Sequence, residues 1–325
     1  TVPEAVALMP DLRYLWVDNN ELTGTLLTTW TISFIARMEE ITFSNNKLYG
    51  PIPLALVASS ETGNIELRLS KIDGSNNNFT GTIPSSFGLL PTWKYIDFSH
   101  NMLTGSIFPS QYLDKLEVLR LNDNMFEGAI PKFPANCKTL ELQGNDLSGD
   151  FDNIVHIRSL EVLSVSGNFG GTLPTELARM KKLGYIDLKN CSLTGTIPSI
   201  VENMKALVHF SMADNKLVGS IPSSFGKLTV LRHLFLDDNE LTGTIPMELS
   251  HMNDLSIFSV QNNNLIGYIP SKLARLEMLN TLLLSGNNLQ GSIPNELCAR
   301  GIDILRIDST VKCECCSKYD SNDFH

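Results

Sequence analysis

The sequence predicts an α/β solenoid, in which one short structural unit is repeated and stacked along the chain. The first observation is a motif, L-x-x-L-x-L-x-x-N-x-L-x-G-x-I-P, with clear copies starting at Leu231, Leu255 and Leu279. The second is a fixed period, because the Asn position of the motif recurs every 24 residues from 191 to 287. Such a period is typical of a solenoid whose coils bury their apolar side chains only against neighbouring coils.

The L-x-L pair of each copy predicts a short β-strand. Leu234 and Leu236 have the alternate spacing of strand residues that face one side. Stacked coils then form a parallel sheet, and about 12 strands at ~4.8 Å spacing give a length of roughly 55 Å.

The Asn of the motif is expected to bind the backbone of successive turns, because its amide carries both a donor and an acceptor. Cys191 replaces it once. The Asn residues of this column are Asn20, Asn46, Asn77, Asn101, Asn124, Asn145, Asn168, Asn215, Asn239, Asn263 and Asn287.

The G-x-I-P end of the motif predicts a tight turn followed by a short helical turn. Gly243 permits a positive φ, and Pro246 is suited to the first position of a helix that reads PMEL. The same pattern returns as PSSF, PTEL, PSIV, PSKL and PNEL. One coil is longer, since Asn46 and Asn77 are 31 residues apart, and VASSETGN is expected to loop out.

The motif resembles the leucine-rich repeat, and its L-x-G-x-I-P end resembles the plant-type subclass. The resemblance covers about residues 8–307. It implies a right-handed superhelix with a concave parallel sheet and short helices or extra strands on the convex side. It also implies an extracellular protein, since members are mostly receptor-kinase ectodomains, receptor-like proteins and secreted inhibitors of wall-degrading enzymes. We therefore expect a solenoid over 1–297, without an N-terminal cap, and a cysteine-containing cap and tail over 298–325.

Four cysteines follow the last regular repeat, where a disulfide-stapled cap would cover the end of the core. They are Cys298, Cys313, Cys315 and Cys316. A direct Cys315–Cys316 bond would be strained, so Cys298 is expected to pair with one of these two and Cys313 with the other. A four-thiolate zinc site is the alternative, although C-x-C-C lacks the usual C-x2-C spacing. The CECC sequence also resembles secreted repeat proteins of microalgae. Cys137 and Cys191, two coils apart, are expected to remain thiols.

Composition narrows the class of partner. The 325-residue chain has a net charge of −10 and a pI near 5.1, which argues against nucleic acid or an anionic membrane surface. No apolar run approaches the roughly 20 residues of a membrane span. Two sequons, at Asn78 and Asn190, predict N-glycosylation of a secreted protein.

The outward side chains of the sheet are expected six, four, two and one residues before each Asn of the column. These positions are strongly acidic, which favours a basic or hydroxyl-rich partner. Their acids are Asp18, Glu40, Asp73, Asp97, Asp123, Glu141, Asp187, Asp214, Asp237 and Asp238, and their bases are Lys71, Arg120 and Lys189.

Two groups of these side chains combine aromatic rings with charges, as binding hot spots do. A solvated sheet that serves only solubility is the alternative. The first group is Tyr95, Asp97, Arg120 and Glu141, with Tyr185 and Asp187 further along. The second group is His209, Asp214, His233, Phe235, Asp237 and Asp238.

Catalysis is not expected. His209 and His233 occupy equivalent positions about 5 Å apart, and with nearby Asp residues they could hold a metal or respond to pH between about 5 and 7. A solvated His pair is the simpler interpretation. No nucleophile elbow, metalloprotease helix, phosphate loop or dinucleotide fingerprint occurs. Carboxylates such as Asp73 and Asp97 would face each other on an open sheet, without desolvation or a pocket. We expect no enzyme, no metal and no cofactor.

The sequence therefore predicts an extracellular recognition module, either a receptor-type ectodomain or a secreted cell-surface protein. It would bind a peptide or protein, preferably basic, or a cell-wall polysaccharide through the concave face. Two alternatives remain at this point: a secreted inhibitor of a wall-degrading hydrolase, and a structural or adhesive matrix protein.

Overall fold

A computed structural model of the chain describes residues 1–26, 32–53, 56, 67–110 and 113–313. It contains two compact units, residues 1–168 and 169–325. The predicted looped-out segment VASSETGN and the cysteines Cys315 and Cys316 lie outside the described residues.

The first unit alternates two kinds of strand. Its strands are β1 Tyr14–Trp16, β2 Thr23–Gly24, β3 Glu40–Thr42, β4 Lys47–Gly50, β5 Lys71–Asp73, β6 Asn78–Gly81, β7 Tyr95–Asp97, β8 Met102–Gly105, β9 Val118–Arg120, β10 Met125–Ala129, β11 Thr139–Glu141, β12 Asp146–Ser148 and β13 Val162–Ser164. The odd-numbered strands pair in parallel, in chain order, to form the main sheet of this unit. The even-numbered strands form a second parallel sheet. The helices are α1, Ile32–Ile35, and 3-10 helices at Glu4–Leu8, Ser85–Leu89 and Phe151–Asn153.

The second unit repeats this plan. Its strands are β14 Gly171–Thr172, β15 Tyr185–Asp187, β16 Leu193–Thr196, β17 His209–Ser211, β18 Lys216–Ser220, β19 His233–Phe235, β20 Glu240–Thr242, β21 Ile257–Ser259, β22 Ile266–Gly267, β23 Thr281–Leu283, β24 Asn288–Leu289 and β25 Ile304–Arg306. From β15 to β25 the odd-numbered strands form the main sheet of this unit, again parallel and in chain order. Its helices are 3-10 helices at Thr175–Arg179, Ser199–Asn203, Ser223–Lys227, Met247–His251 and Ser271–Arg275, and α2, Asn295–Arg300.

The predicted solenoid, its parallel sheets and its short helices are confirmed. Each main strand buries its central residue, as Leu234 does in β19, and turns the flanking residues outward. Aromatic rings fill the coils of the first unit, where Trp93 stacks on Phe87 with ring centroids 5.5 Å apart. In the second unit Phe210 and Phe225 meet edge to face. These rings are fully buried, and each contributes about 1.5–3 kcal/mol through removal from water.

The column of Asn residues binds the backbone as expected. Asn239 Nδ2 donates to Met212 O of the preceding coil at 2.9 Å and to Leu236 O and Asp237 O of its own coil. Its Oδ1 accepts from Leu217 N at 3.0 Å. Where Cys191 replaces Asn, its own N–H donates to Asn215 Oδ1 of the next coil. The column thus satisfies buried backbone groups that the turn leaves without a partner.

One detail of the helical turns differs from the prediction. Pro246 is not the first helical residue but the residue before it, with an extended ψ of 131°, and the 3-10 helix starts at Met247. The carbonyl of Pro246 accepts from Leu249 N, which closes the first turn. Within the described residues, no helix has the length and apolar character needed to cross a bilayer.

Candidate functional site

The outward residues of the main strands form a surface that we call the strand face of each unit. The structure corrects one expectation about it. Residues four before the column Asn are often small and buried rather than exposed, as Ser164, Ser211 and Ser259 are. Asp97 occupies the same position and is only 5 % exposed. Neighbouring side chains cover its carboxylate. The sequence predicts no desolvation of carboxylates on an open sheet, but the carboxylate of Asp97 is largely removed from water.

On the strand face of the first unit, Tyr95, Asp97, Arg120 and Glu141 form one network, as their positions predicted. Tyr95 OH donates to Asp97 Oδ2 at 3.1 Å and accepts from Arg120 Nη1 at 3.0 Å. Arg120 Nε lies 3.2 Å from Glu141 Oε1, and Arg120 Nη1 lies 3.7 Å from Asp97 Oδ2. The guanidinium is therefore shared between two carboxylates and a phenol.

Two further residues, Ser99 and Lys71, contact the members of this network. Asp97 Oδ1 accepts from Ser99 N and from the Ser99 hydroxyl, at 3.0 and 2.7 Å. Lys71 Nζ lies 5.4 Å from the centre of the Tyr95 ring. Burial, and then the charge of Asp97, raise the pKa of Tyr95 well above its ordinary value, so the phenol stays protonated. Most hydrogen-bonding capacity in this group is used internally.

The strand face of the second unit carries a continuous ring surface, made by Tyr185, His209, His233 and Phe235. Tyr185 stacks on His209 with centroids 4.3 Å apart and planes 9° apart. His209 also meets the His233 ring at 5.5 Å and the Phe235 ring at 5.6 Å. The strand register produces this contact, because Tyr185 pairs with His209 and His209 with His233. We call these four residues the ring cluster.

The sequence grouped Tyr185 with Tyr95, whereas its ring contact is with His209 in the second unit. The predicted neighbourhood of His209 and His233 is confirmed, with Nδ1 atoms 3.3 Å apart. Two protonated Nδ1 atoms cannot share this distance favourably, so at least one ring is neutral and accepts. Burial, and then the neighbouring His233, hold the pKa of His209 below its ordinary value.

Acids surround the ring cluster, and one of them is paired. Lys189 Nζ lies 3.1 Å from Asp214 Oδ2. Asp238 Oδ1 accepts from Asn262 Nδ2 at 2.8 Å, and Asp187 Oδ1 accepts from Lys189 N. Burial raises the pKa of Asp237 above its ordinary value, and its Oδ1 has no hydrogen-bond partner within the described part of the chain. Asp187 and Asp237 have no ion pair within the described residues, although the charge of Lys189 also acts on both of them.

Sequence reasoning missed the hydroxyl partners of the carboxylates. Ser75 and Ser99 each donate, through N–H and hydroxyl, to an Asp two residues earlier, Asp73 and Asp97. The D-x-S spacing is typical of such local bonds and could have indicated them. Over the described ranges, no group of three or more His, Cys, Asp or Glu residues is placed to hold a metal ion.

The predicted modification sites are placed as follows. Asn78, on β6, and Asn190 are both exposed, and their glycosylation remains a prediction. Cys298 and Cys313 are disulfide-bonded, whereas the pairing of the four C-terminal cysteines remains a prediction. Cys137 and Cys191 are buried thiols, as expected, and burial raises the pKa of Cys137 to about 12.

Comparison with known protein families identifies leucine-rich repeats in this chain. Two family models, both described as leucine rich repeat, match residues 181–241 and 278–299. Receptor-like protein 35 of Arabidopsis thaliana is 35 % identical over 202 residues, which is 58 % of this chain and 20 % of that protein. The chain thus matches about a fifth of the length of this relative.

Two solved structures extend the likeness over nearly the whole chain. A TDR receptor is 28 % identical with a TM-score of 0.83, covering 93 % of this chain and 52 % of the receptor. The leucine-rich-repeat ectodomain of the Arabidopsis thaliana receptor kinase GASSHO1/SCHENGEN3, solved in complex with Casparian strip integrity factor 2, is 25 % identical with a TM-score of 0.65. That alignment covers 96 % of this chain and 43 % of the ectodomain.

Proposed function

We propose that this chain, a leucine-rich-repeat protein of the plant type, is an extracellular recognition module of the receptor-like kind. It binds a peptide or protein segment on the strand face of its second unit, at the ring cluster. The bound segment presents an apolar or aromatic side chain to the rings and a Lys or Arg side chain to the acids beside them.

The observation that carries this proposal is the ring cluster itself. Tyr185, His209, His233 and Phe235 present rings at 4.3–6.5 Å spacing on an outward face, with Tyr185 36 % exposed. Partly exposed aromatic side chains held in place by their neighbours lose little entropy on binding and are typical of binding hot spots.

The acidic residues beside the ring cluster favour a ligand with a positive charge. Asp187, Asp237 and Asp238 have no cation within ion-pair distance among the described residues, because Lys189 is engaged by Asp214. An approaching Lys or Arg is steered by this field and can pair with a carboxylate whose desolvation has already occurred, as at Asp237. The Tyr95 network of the first unit is a weaker candidate, because both of its carboxylates are already paired with Arg120.

The relatives support the same class of function. Receptor-like protein 35 supports a receptor-like assignment, and the GASSHO1/SCHENGEN3 ectodomain was solved with a bound factor. By analogy, the chain acts at the cell surface or outside the cell, and it acts by binding rather than by catalysis.

A selection from a random peptide library tests the proposal. The chain, immobilised at pH 7, would be panned with phage that display random dodecapeptides, and selected peptides would be synthesised and titrated. We expect Lys- or Arg-containing sequences with an apolar neighbour. The substitution Phe235→Ala should weaken their binding by about 2 kcal/mol, which is roughly 30-fold.

A matched control is Thr139→Ala, which removes an outward strand-face residue of the first unit and should leave peptide affinity unchanged. Equal affinities for the native chain and for both Phe235→Ala and His209→Ala would place the ligand elsewhere and overturn the proposal. Selected peptides without a cationic side chain would overturn the assigned ligand class.

A further inference from the structure

A second surface of the second unit has a different chemistry. An open groove of about 1160 Å³ runs across four successive coils, beside the 3-10 helices that start at Ser199, Ser223 and Met247. Its lining includes the residue after the motif Gly in each coil: Thr196, Ser220, Thr244 and Tyr268. All four are exposed. The groove therefore presents one hydroxyl group per coil, at ~4.8 Å intervals.

Tyr268 makes this row different from a plain stripe of small residues. In neighbouring coils a Thr methyl packs on the following Gly, as Thr244 does on Gly267. In the last coil the Tyr268 ring, instead of a Thr methyl, packs on the Gly of the following coil, Gly291. A Cβ added to Gly291 would lie only 2.7 Å from Tyr268 Cδ1. The ring is 68 % exposed although the backbone of the next coil supports one side of it. Tyr268 belongs to the last of the four coils that line the groove, so its ring stands at one end of it.

The groove also carries little net charge. Among the described residues Glu248 is the single charged residue that lines it, and Lys272 Nζ lies 3.5 Å from Sδ of the lining Met247. Apolar contacts come from Met247, which is 49 % exposed, and from the edges of the Ile residues beneath. A strongly ionic ligand would gain little here, whereas a neutral ligand with hydroxyl groups and apolar C–H faces would find a complementary surface.

We propose that this groove, hereafter the Tyr268 groove, binds a neutral β-linked polysaccharide chain. One pyranose ring would lie on Tyr268 and the following rings would run across the coils, since a pyranose unit in an extended β-linked chain has nearly the length of the coil repeat. Each ring then meets a hydroxyl from one coil. The site is separate from the ring cluster and does not depend on the function proposed for it.

The test is affinity electrophoresis of the whole chain in gels with and without hydroxyethyl cellulose, followed by calorimetric titration with cellohexaose. The expected result is retardation by the neutral polymer and a roughly tenfold loss of cellohexaose affinity in Tyr268→Thr. This variant installs the residue found at the equivalent positions 196 and 244, so its fold should be retained, and its thermal unfolding should match the native chain. Tyr49→Thr, which removes a Tyr that is 53 % exposed in the first unit, is the control and should bind normally.

Equal retardation of the native chain and Tyr268→Thr would overturn the proposal, as would the absence of retardation. Stronger binding of hexagalacturonate than of cellohexaose would overturn the neutral character of the ligand. If Tyr268→Thr instead abolished binding of the selected peptides, the groove would be a peptide site. Because Phe235→Ala tests the ring cluster, failure of one site is distinguishable from failure of the other.

Discussion

Tyr185 stacks on His209 with ring centroids 4.3 Å apart and an angle of 9° between the planes. The two residues lie on adjacent strands and are direct partners in the parallel register. Stacking covers one face of the imidazole, and His233 contributes a second nitrogen 3.3 Å from His209 Nδ1. The rings are therefore held against each other, and burial, followed by the charge of His233, lowers the pKa of His209.

The native state should lose stability as the pH falls below about 6.5, partly through His209. Burial, and then His233, hold its pKa in the folded chain below the ordinary 6.5, whereas the unfolded chain protonates at the ordinary value. The unfolded state thus binds more protons as the pH falls through 6.5, and the free energy of unfolding decreases from there towards the folded-state pKa. Thermal unfolding of His209→Gln between pH 7.5 and 5 should show a shallower decrease. The exposed His251, changed to Gln, is the control, and a slope in His209→Gln as steep as in the native chain would contradict this role.

Asn239→Ala should be strongly destabilising for its size. It removes the acceptor for Leu217 N and the donor to Met212 O, which are backbone groups of the preceding coil. Leaving such buried groups unsatisfied should cost about 3 kcal/mol in the free energy of unfolding. Urea unfolding and hydrogen exchange of the Leu217 amide measure the effect. Asn20→Ala is the comparison, because Asn20 is exposed and, among the described residues, bonds only to Val17 O and Asp18 O. A similar cost for both variants would contradict the explanation.

Gly226→Ala should destabilise by overpacking between coils. Gly226 lies in the 3-10 helix Ser223–Lys227, and an added Cβ would lie 2.2 Å from Glu248 O of the next coil. Backbone must shift to relieve this contact, so we expect a loss of about 1–3 kcal/mol in urea unfolding. Gly170→Ala is the matched control, since nothing lies within 4 Å of its added Cβ. Its cost should stay within about 0.5 kcal/mol. Equal costs for the two variants would show that the contact with Glu248 O is not what destabilises Gly226→Ala.

Arg120→Met should destabilise the first unit, because it leaves the buried Asp97 without its cation. Asp97 has a side-chain exposure of 7 % and Arg120 of 34 %, so the expected cost is about 2 kcal/mol, below that of a fully buried pair. Adding Asp97→Asn should recover part of this loss in a double-mutant cycle measured by urea unfolding. Lys138→Met breaks an exposed pair with Glu117 and should cost clearly less than Arg120→Met, because solvent screens that pair. A larger effect at Lys138 than at Arg120 would contradict the argument from burial.

Cys137 should resist alkylation in the folded chain. Its thiol is buried, and burial raises its pKa to about 12, so little thiolate forms at pH 8. Iodoacetamide at pH 8 followed by peptide mapping should leave Cys137 unmodified in native buffer and modify it fully in urea. Rapid modification without denaturant would show that this coil opens far more often than its packing indicates.

The repeat could be predicted from the sequence because its causes are local. Leu234 and Asn239 occupy fixed positions in a 24-residue period, and each period buries the same side chains against the next. The positions of the main strands, the Asn column and the proximity of His209 and His233 followed from this register. Tyr268 could also have been noticed, since GYIP departs from the usual GTIP, but its support by Gly291 is a contact between coils.

The tripeptide Tyr-Ile-Asp occurs in two main strands, and its two copies separate what the sequence determines from what the tertiary structure determines. The sequence by itself determined that both copies form strands, with Ile96 and Ile186 buried. Only the tertiary structure decided what the Tyr and Asp residues do. Beside Tyr95 and Asp97 the next strand places Val118 and Arg120, and the guanidinium joins phenol and carboxylate into a half-buried network. Beside Tyr185 the next strand places His209, so the same phenol ring stacks instead. The physical reason is that the partners that distinguish the two copies, Arg120 and His209, are more than 20 residues away in the chain and reach the Tyr residues only when the coils stack.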